Sequence, residues 1–395
     1  MRKSALLLLG LLALGLLAAG LVVISTASQP NSIRLHHGDP YHFLVMQSAF
    51  AVGAIVFAAI TALVDYRIWR NHFWLTVLGC IVIVGLLGAV FLGKKVNGSY
   101  RWVNLGAFNL QPAELAKLFT VLAVAAWLDL CGWKVAQFWK GFVLSGVIVA
   151  VFAGPVLFQP DFGSVMVIGV AGFLMMFLCG VRLLYLIVGG GLGALVVAYK
   201  VLNNGNRMAR IAAWLPKGAY DWLMSLVGGG AVTVQDASAE RAAYQAKQAL
   251  VAIKNGGVWG VGMNESIQKQ YYLPEAHTDF IFAVGCEERG LVFSLVVMLL
   301  FVAFFLVSVH IARHASDRYG RNIAFGVGFL IFFQAMFNIG VVCSALPTKG
   351  MALPFFSYGG TNLICAGIAV GLIFSVGIHS LRDKAHSAMR KVVKR

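Results

Sequence analysis

Charge is scarce in this sequence. Of 395 residues only 12% are Asp, Glu, Lys or Arg, against 60% hydrophobic, and the mean hydropathy is +0.83. A soluble globular chain carries about 25% charged residues, so too little polar surface is available to coat a water-soluble particle of this length. Soluble enzymes, disordered tails and small disulfide-stapled modules are excluded; the composition is that of an integral membrane protein. Acid is scarcer still, with 15 Asp and Glu against 31 Lys and Arg and a net charge of +16. Such an excess is expected where Lys and Arg are kept on cytoplasmic loops, and without a soluble basic domain or an RNA motif it does not point to nucleic acid as a partner. The six cysteines include no Cys-x-x-Cys pair and all lie in or beside apolar runs, which favours packing residues over a disulfide framework or zinc site. No internal repeat is evident, so an inverted-repeat transporter has no support.

Long apolar runs fill the chain instead. A spanning helix needs about 20 apolar residues, each rising 1.5 Å across a hydrocarbon layer about 30 Å thick. Ten stretches meet or nearly meet that length: 5–25, 44–64, 73–93, 112–130, 141–158, 162–180, 183–201, 280–309, 323–343 and 359–379. The expected fold is an all-α polytopic integral membrane protein, one membrane domain over 1–395 with ten transmembrane helices. The first run exceeds the 7–15 residues of a signal-peptide core and reads as a retained span. Ten spans put both termini on one side. With the N-terminus cytoplasmic, the inner segments hold Arg2, Lys3, Arg67, Arg70, Lys134, Lys140, Arg182, Arg313, Arg318 and Arg321, and the tail adds six more. The short outer loops hold only Arg34, Lys94, Lys95, Arg101 and Lys349. The positive-inside rule therefore places both termini in the cytoplasm.

The segment 202–279, between spans seven and eight, is too long for a connector. It contains a break at Gly228-Gly229-Gly230 and then a helical pattern from Ser238, a candidate N-cap, to Lys254. Ala242, Ala246, Ala249, Leu250 and Ile253 form an apolar face, with Arg241, Gln245, Lys247 and Lys254 among the polar positions. Such a helix either lies on the outer membrane surface or packs within a folded outer loop.

The 15 carboxylates divide by position. Asp65, Asp129, Asp317 and Asp383 fall at cytoplasmic ends, where solvated surface is the expectation. Asp221, Asp236, Glu240 and Glu265 are scattered along the outer segment. Asp39, after His36-His37, is a weak metal candidate without a fourth ligand. Six lie against apolar sequence. Glu114 and Lys117, three residues apart at the start of span four, share a helix face and can pair; charge at that depth is either structural or functional. Asp161 follows Gln159-Pro160 and suits a helix N-terminus. Glu287 and Glu288, with Arg289, interrupt span eight about two turns in. Glu275 and Asp279 belong to Leu273-Pro274-Glu275-Ala276-His277-Thr278-Asp279, where a polar loop enters span eight. A half-desolvated carboxylate there has its pKa raised toward the range of a general base; capping is the alternative.

Cations and glycines gather on the same side, in Lys94-Lys95-Val96-Asn97-Gly98-Ser99-Tyr100-Arg101-Trp102 and in Leu346-Pro347-Thr348-Lys349-Gly350 through Pro354 to Gly360. Bases and aromatics here are either interfacial anchors or a cradle for the phosphates of a lipid-linked substrate. Their meeting at the outer leaflet favours chemistry there over passage through the bilayer. A transporter would place its ionisable groups nearer the midplane.

Five ordered motifs carry a resemblance over nearly the whole chain: 97–102, Gln111-Pro112-Ala113-Glu114-Leu115-Ala116-Lys117, Gln159-Pro160-Asp161-Phe162-Gly163, 273–282 and 346–360. Together they resemble the SEDS family, the FtsW/RodA/SpoVE-type peptidoglycan glycosyltransferases. The fourth motif, and Gln159 to Phe162, look closer to the division branch, FtsW, than to the elongation branch, RodA. The sequence departs from some relatives at Gln270-Tyr271-Tyr272, where they are more acidic.

The resemblance implies an enzyme that polymerises lipid II, the undecaprenyl-pyrophosphate disaccharide-pentapeptide, on the outer face of the bacterial inner membrane. It implies Asp279 as the catalytic base and a class B penicillin-binding transpeptidase and other cell-division proteins as partners. Arg101, Lys117 and Lys349 are the candidates for steadying the diphosphate, with Glu114 holding Lys117; His277 and Ser357, inside the matching motifs, are further substrate-binding candidates. No cofactor is required by the motifs, although a divalent cation (Mg or Mn) is a candidate source of additional positive charge. The competing function is a flippase for the lipid-linked precursor, an older proposal for such proteins; the elongation polymerase is the alternative within the family.

Overall fold

The structure, a computed structural model, describes residues 3–393 apart from 97–98, 105, 107–108, 160, 204, 217, 219, 221, 223–224 and 226–235. The Gly228–Gly230 break, Asn97-Gly98, Pro160, Asp221 and the terminal Arg2, Lys394 and Arg395 thus lie outside the described residues. Thirteen helices are described here: α1 (Lys3–Ala27), α2 (Gln29–Leu35), α3 (His42–Leu63), α4 (His72–Leu92), α5 (Pro112–Cys131), α6 (Leu144–Phe158), α7 (Phe162–Leu178), α8 (Leu183–Leu202), α9 (Gly205–Trp214), α10 (Asp236–Gly256), α11 (Ile281–Arg313), α12 (Arg318–Val342) and α13 (Gly360–Val393). Eight helical segments are long and apolar enough to cross a membrane by length and composition, and α7 and α8 are shorter apolar helices at the sixth and seventh expected positions. The chain is a multi-pass helical membrane protein. Helices suit that setting because each satisfies its backbone hydrogen bonds internally where no water can.

The expectation of an all-α chain needs one correction. Three short strands, β1 (Lys94–Val96), β2 (Ser99–Asn104) and β3 (Asn109–Leu110), pair antiparallel in the order β1-β2-β3. The Asn-Gly between β1 and β2 is the composition of a two-residue hairpin connection, a signal the helical reading passed over. Span five also starts earlier than expected, as a π-helical turn at Phe138–Val143 leading into α6.

The helices sort by what they bury. Helix α5 is the hub, packed against α4, α6, α7 and α12, and its buried residues run from Pro112 to Cys131. The outer helices α3 and α4 leave Val52, Ile60, Ile81 and Val84 exposed, which suits contact with hydrocarbon rather than water. Helix α13 lies closely along α3: a methyl group added at Gly367 would strike the backbone of Ala54, and one at Gly371 would strike Thr61 and the Ala58 carbonyl. Small residues of this kind let two backbones approach, which drives helix association where no hydrophobic force acts between them.

Two further expectations resolve here. The amphipathic helix of the long segment is α10, which begins two residues earlier, at Asp236. It buries Ala242, Ala249 and Ala252 and packs against α9 and α11, so it belongs to a folded segment between α8 and α11. The acids expected to be solvated at the opposite end of the bundle are not free. Arg67, in the turn Tyr66–Arg70, pairs with Asp317 at 3.0 Å, with Asp65 at 3.8 Å and with Asp383, while Arg70 holds Asp129 at 3.1 Å. These pairs tie the α3–α4 turn to α5, α12 and α13. Asp317 lies below the usual carboxylate range because its burial is outweighed by hydrogen bonds from Gly320, Tyr66 and Arg67.

Replacing Gly367 or Gly371 with Leu should force α3 from α13 and cost about 1–3 kcal/mol of stability or more. Thermal unfolding in detergent is the measurement. Gly53→Ala, at a position with open space around it, should leave the midpoint nearly unchanged.

Candidate active site

Asp279 sits at the end of a tightly tied loop, two residues before α11. The Glu275 carbonyl accepts from Thr278 N and Phe280 N, both at 3.2 Å, and Leu273 N donates to the Gln268 carbonyl at 2.8 Å. Glu275 adopts φ +57°, a left-handed conformation that costs a non-glycine residue, and follows Pro274, whose ring restrains the turn.

A second loop, 346–358, closes over the first and is stitched to it. Ser357 Oγ donates to the Thr278 carbonyl at 2.7 Å and accepts from Leu353 N at 2.7 Å. Tyr358 N donates to the His277 carbonyl at 3.0 Å. Asn338 of α12 donates through Nδ2 to both the Asp279 carbonyl (2.9 Å) and the Met351 carbonyl (2.6 Å). The backbone at 277–279 is therefore pinned from two sides. Gly350 lies so near the Asp279 carboxylate that a methyl group there would collide with it.

Electrostatics act on this fixed geometry. Asp279 keeps part of its surface open, yet its carboxyl is pushed up to about 7: burial contributes most and Glu275 adds to it, while Arg101 and Arg210 pull the other way and Asp161 adds a little more. Asp161, 3% exposed, caps α7 by accepting from Ser164 N at 3.5 Å, accepts also from Ser164 Oγ at 2.8 Å, and faces Lys349 at 3.6 Å. Burial would raise it, but Arg101 and Lys349 together hold it below the usual carboxylate range. The capping role expected for Asp161 stands, and an ion pair across 188 positions of sequence (349 − 161) is added to it.

The other expected residues separate by depth. Arg101, on β2, bears on both Asp161 and Asp279. Lys349 lies at the same place, its ammonium 5.2 Å from the Phe162 ring. Glu114 and Lys117 do pair, at 2.7 Å, but they are 7% and 1% exposed. Lys117 Nζ also donates to Gln334 Oε1 at 2.9 Å, and Gln334 Nε2 donates to the Ala352 carbonyl at 3.1 Å. This relay carries the pair's position to the 346–358 loop from below. Ser357, expected at the substrate, is 1% exposed with both bonding capacities spent on backbone; it positions the loop. His277 is turned into the protein, where Nδ1 lies 3.1 Å from Asn31 Nδ2 and the ring stacks on Phe43 at 5.2 Å. Burial lowers its pKa and Glu275 opposes that.

Arg210, Gln334 and Asn338 belong to the site and were not foreseen. An Arg in a long outer segment, and polar residues inside an apolar span, are signals that sequence carries without saying where they point. Glu287 and Glu288, about two turns into α11, are buried braces for the segment that precedes α11: Glu287 accepts from Asn255 and Ser266, and Glu288 from Thr26, Lys269 and Arg289. Among the described residues no three His, Cys, Asp or Glu side chains converge as metal ligands. The His36-His37-Asp39 candidate is not assembled, since His36 stacks on His42 at 3.6 Å and Asp39 accepts from Tyr41 N at 2.9 Å.

Infrared titration of the protonated carboxyl, isolated by subtracting Asp279→Asn, should find Asp279 ionising near pH 7. Glu275→Gln removes a negative neighbour and should move that titration to lower pH; Arg101→Met removes a positive one and should move it higher. A carboxyl that titrates near 4 in every variant would remove the electrostatic account.

Comparison with known proteins agrees with this architecture. A probable peptidoglycan glycosyltransferase FtsW of Geobacter sulfurreducens is 35% identical over 355 residues, covering 90% of each chain. That of Escherichia coli is 33% identical over 373 residues, covering 93% of this chain and 85% of the other. Among solved structures, the rod shape determining protein RodA of Thermus thermophilus superposes with a TM-score of 0.65 at 24% identity, covering 94% of this chain and 95% of that one. A chain from a study of polymerization and crosslinking by a peptidoglycan synthase complex superposes with a TM-score of 0.72, also at 24% identity, covering 94% and 97%. These likenesses show the fold. The family model described as cell cycle protein, FtsW/RodA/SpoVE, matches residues 6–381, and the chain belongs to that family.

Proposed function

We propose that this protein is a peptidoglycan glycosyltransferase that polymerises lipid II into β-1,4 glycan strands, serving septal wall synthesis in division. Relatives at 35% and 33% identity are named probable peptidoglycan glycosyltransferases FtsW. The observation that carries the reading is the Asp279 carboxyl, fixed at a helix entrance, partly open and titrating near neutrality.

In this reading Asp279, ionised, accepts the proton of the acceptor sugar's 4-hydroxyl as that oxygen attacks the anomeric carbon of the donor. The new C–O bond forms on the face opposite the leaving group, so the configuration inverts. The bond to the diphosphate oxygen breaks, and its electron pair leaves with the polyprenyl diphosphate. A diphosphate needs no protonating acid when its charge is met by fixed cations, unlike the two-carboxylate arrangement of glycoside hydrolysis. Arg101 and Lys349 meet it directly. Lys117, neutralised by Glu114, keeps the Lys349 loop in place through Gln334. The side chains present do not fit a divalent cation such as Mg or Mn: Asp161 is already paired with Lys349 at 3.6 Å and Asp279 is the proton acceptor, so no step runs through a metal.

The ten-span topology follows from counting α7 and α8 as crossings. The surplus of Lys and Arg at the opposite end supports a cytoplasmic location for both termini and a periplasmic one for Asp279. A class B penicillin-binding transpeptidase is the expected partner, with other division proteins around it.

Purified protein supplied with lipid II in detergent, scored for glycan chains on gels, tests the reading. Asp279→Ala should lower polymerisation by about 10²–10⁴, the range of a general base, while remaining folded. Wild-type activity should rise with pH through about 7, as the raised carboxyl loses its proton. Gly350→Ala, which displaces the carboxylate without removing it, should cost roughly tenfold or more. Lys117→Met should weaken donor use. Full polymerisation by Asp279→Ala sinks the assignment; lipid II crossing vesicle bilayers with no polymer formed would establish the flippase instead.

A further inference from the structure

Helices α9 and α10 line an open cavity of about 400 Å³ against the segment 344–348. Among the described residues its lining contains three cations, Arg210, Lys247 and Lys254, and no carboxylate, while Trp214, Leu250 and a row of alanines supply an apolar wall. The balance differs from that around Asp161, where a buried carboxylate already offsets the charge of Lys349. A multiply charged anion therefore gains in the α9–α10 cavity, because among the described lining residues the three cations meet no carboxylate, and only Arg210 is shared with an acid beyond the wall, Asp279.

Two further observations point to a ligand. Ser344 Oγ and Thr348 Oγ1 belong to lining residues and are buried atoms with no hydrogen-bond partner among the described residues; Thr348 as a whole is 8% exposed. Buried hydroxyls are ordinarily bonded, so a wall carrying two unmet ones suits an oxygen-rich group. The cavity also adjoins the chemistry. Arg210 Nη1 lies 3.5 Å from the Thr348 carbonyl, Trp214 Nε1 donates to the Ser344 carbonyl at 2.9 Å, and the same segment runs through Lys349 to Gly350 against Asp279. Arg210 acts on Asp279 electrostatically from this side, as Arg101 does.

We propose that this cavity is a second diphosphate seat, in which Arg210, Lys247 and Lys254 hold the phosphates of one polyprenyl-linked sugar while its chain runs along the apolar wall. The proposal rests on the glycosyltransferase reading. That reaction joins two lipid-linked sugars, and two diphosphates at one carboxylate need two separate sets of cations. Segment 344–350 is the partition, with Lys349 and Arg101 serving one substrate and the α9–α10 cations the other. A phosphate head with an apolar tail is the chemistry that three cations, two hydroxyls and an apolar wall select together.

Binding of a long-chain polyprenyl diphosphate to the full-length protein, counted by native mass spectrometry and titrated for affinity, tests it without requiring turnover. The wild type should take two molecules. Lys247→Gln with Lys254→Gln, both at exposed helix positions, and separately Arg210→Gln should weaken one binding event by about tenfold for each cation removed. Lys349→Met should weaken the other event and leave this one intact, and Thr348→Val should weaken this one by a smaller factor. Unchanged affinity and stoichiometry in the double Lys variant overturn the proposal. So does a wild type that binds one molecule or none, or displacement of the diphosphate by an equal concentration of phosphatidylglycerol. Two-site binding lost as described, in a protein that forms no polymer from lipid II, would leave this seat standing and remove the polymerase reading alone.

Discussion

The site depends on a carboxyl group whose burial is only partly offset by nearby cations, which leaves it ionising near neutrality. Crowding by protein raises Asp279 and Glu275 raises it further, while the charges of Arg101 and Arg210 limit the rise. Without the cations the group would stay protonated at neutral pH and have no base to offer. Without burial it would ionise readily and be a weak proton acceptor. Both conditions require that the carboxylate not move, which explains the density of backbone stitching around it. Asn338, Ser357 and Gly350 each fix one side of a loop that has little regular structure of its own.

That loop stands on a polar relay inside the bundle. Glu114 and Lys117 neutralise each other at almost complete burial, and Gln334 passes their position to the Ala352 carbonyl. A buried pair of this kind contributes little net stability, yet removing either partner leaves an uncompensated charge. Its value here is registry, since α5 and α12 meet at one height and the loop above them is held at one height in turn. The Arg67 cluster ties the opposite end, so the helices that carry the site are fastened at both ends.

Much of this was legible in the sequence. The ten apolar runs match α1, α3–α8 and α11–α13 with most boundaries within a few residues, because hydrocarbon demands a minimum apolar length and a helix supplies a fixed rise. The Glu114–Lys117 pair followed from helical spacing alone. Asp279 stood out because an acid at the junction of a polar loop and an apolar helix has few ordinary duties. The hairpin at 94–104 was missed because the apolar signal dominated the reading, although Asn-Gly between its strands was in plain view. Solvated acids were expected at the opposite end because the sequence does not reveal which Arg reaches them.

Sequence by itself determined the solvent, the number of apolar segments, the family and the identity of the acid at the head of α11, since each rests on local composition or on a motif read in order. Only the tertiary structure decided which residues share the site. Arg101, Asp161, Arg210, Asp279 and Lys349 come from five separate parts of the chain, and they meet because α5, α7 and α12 pack around one axis while two loops close over their ends. The same packing turned Ser357 and His277 inward and set Arg210 toward Asp279. Side-chain direction depends on which neighbours fill the space around it, and no period or spacing along one chain encodes that.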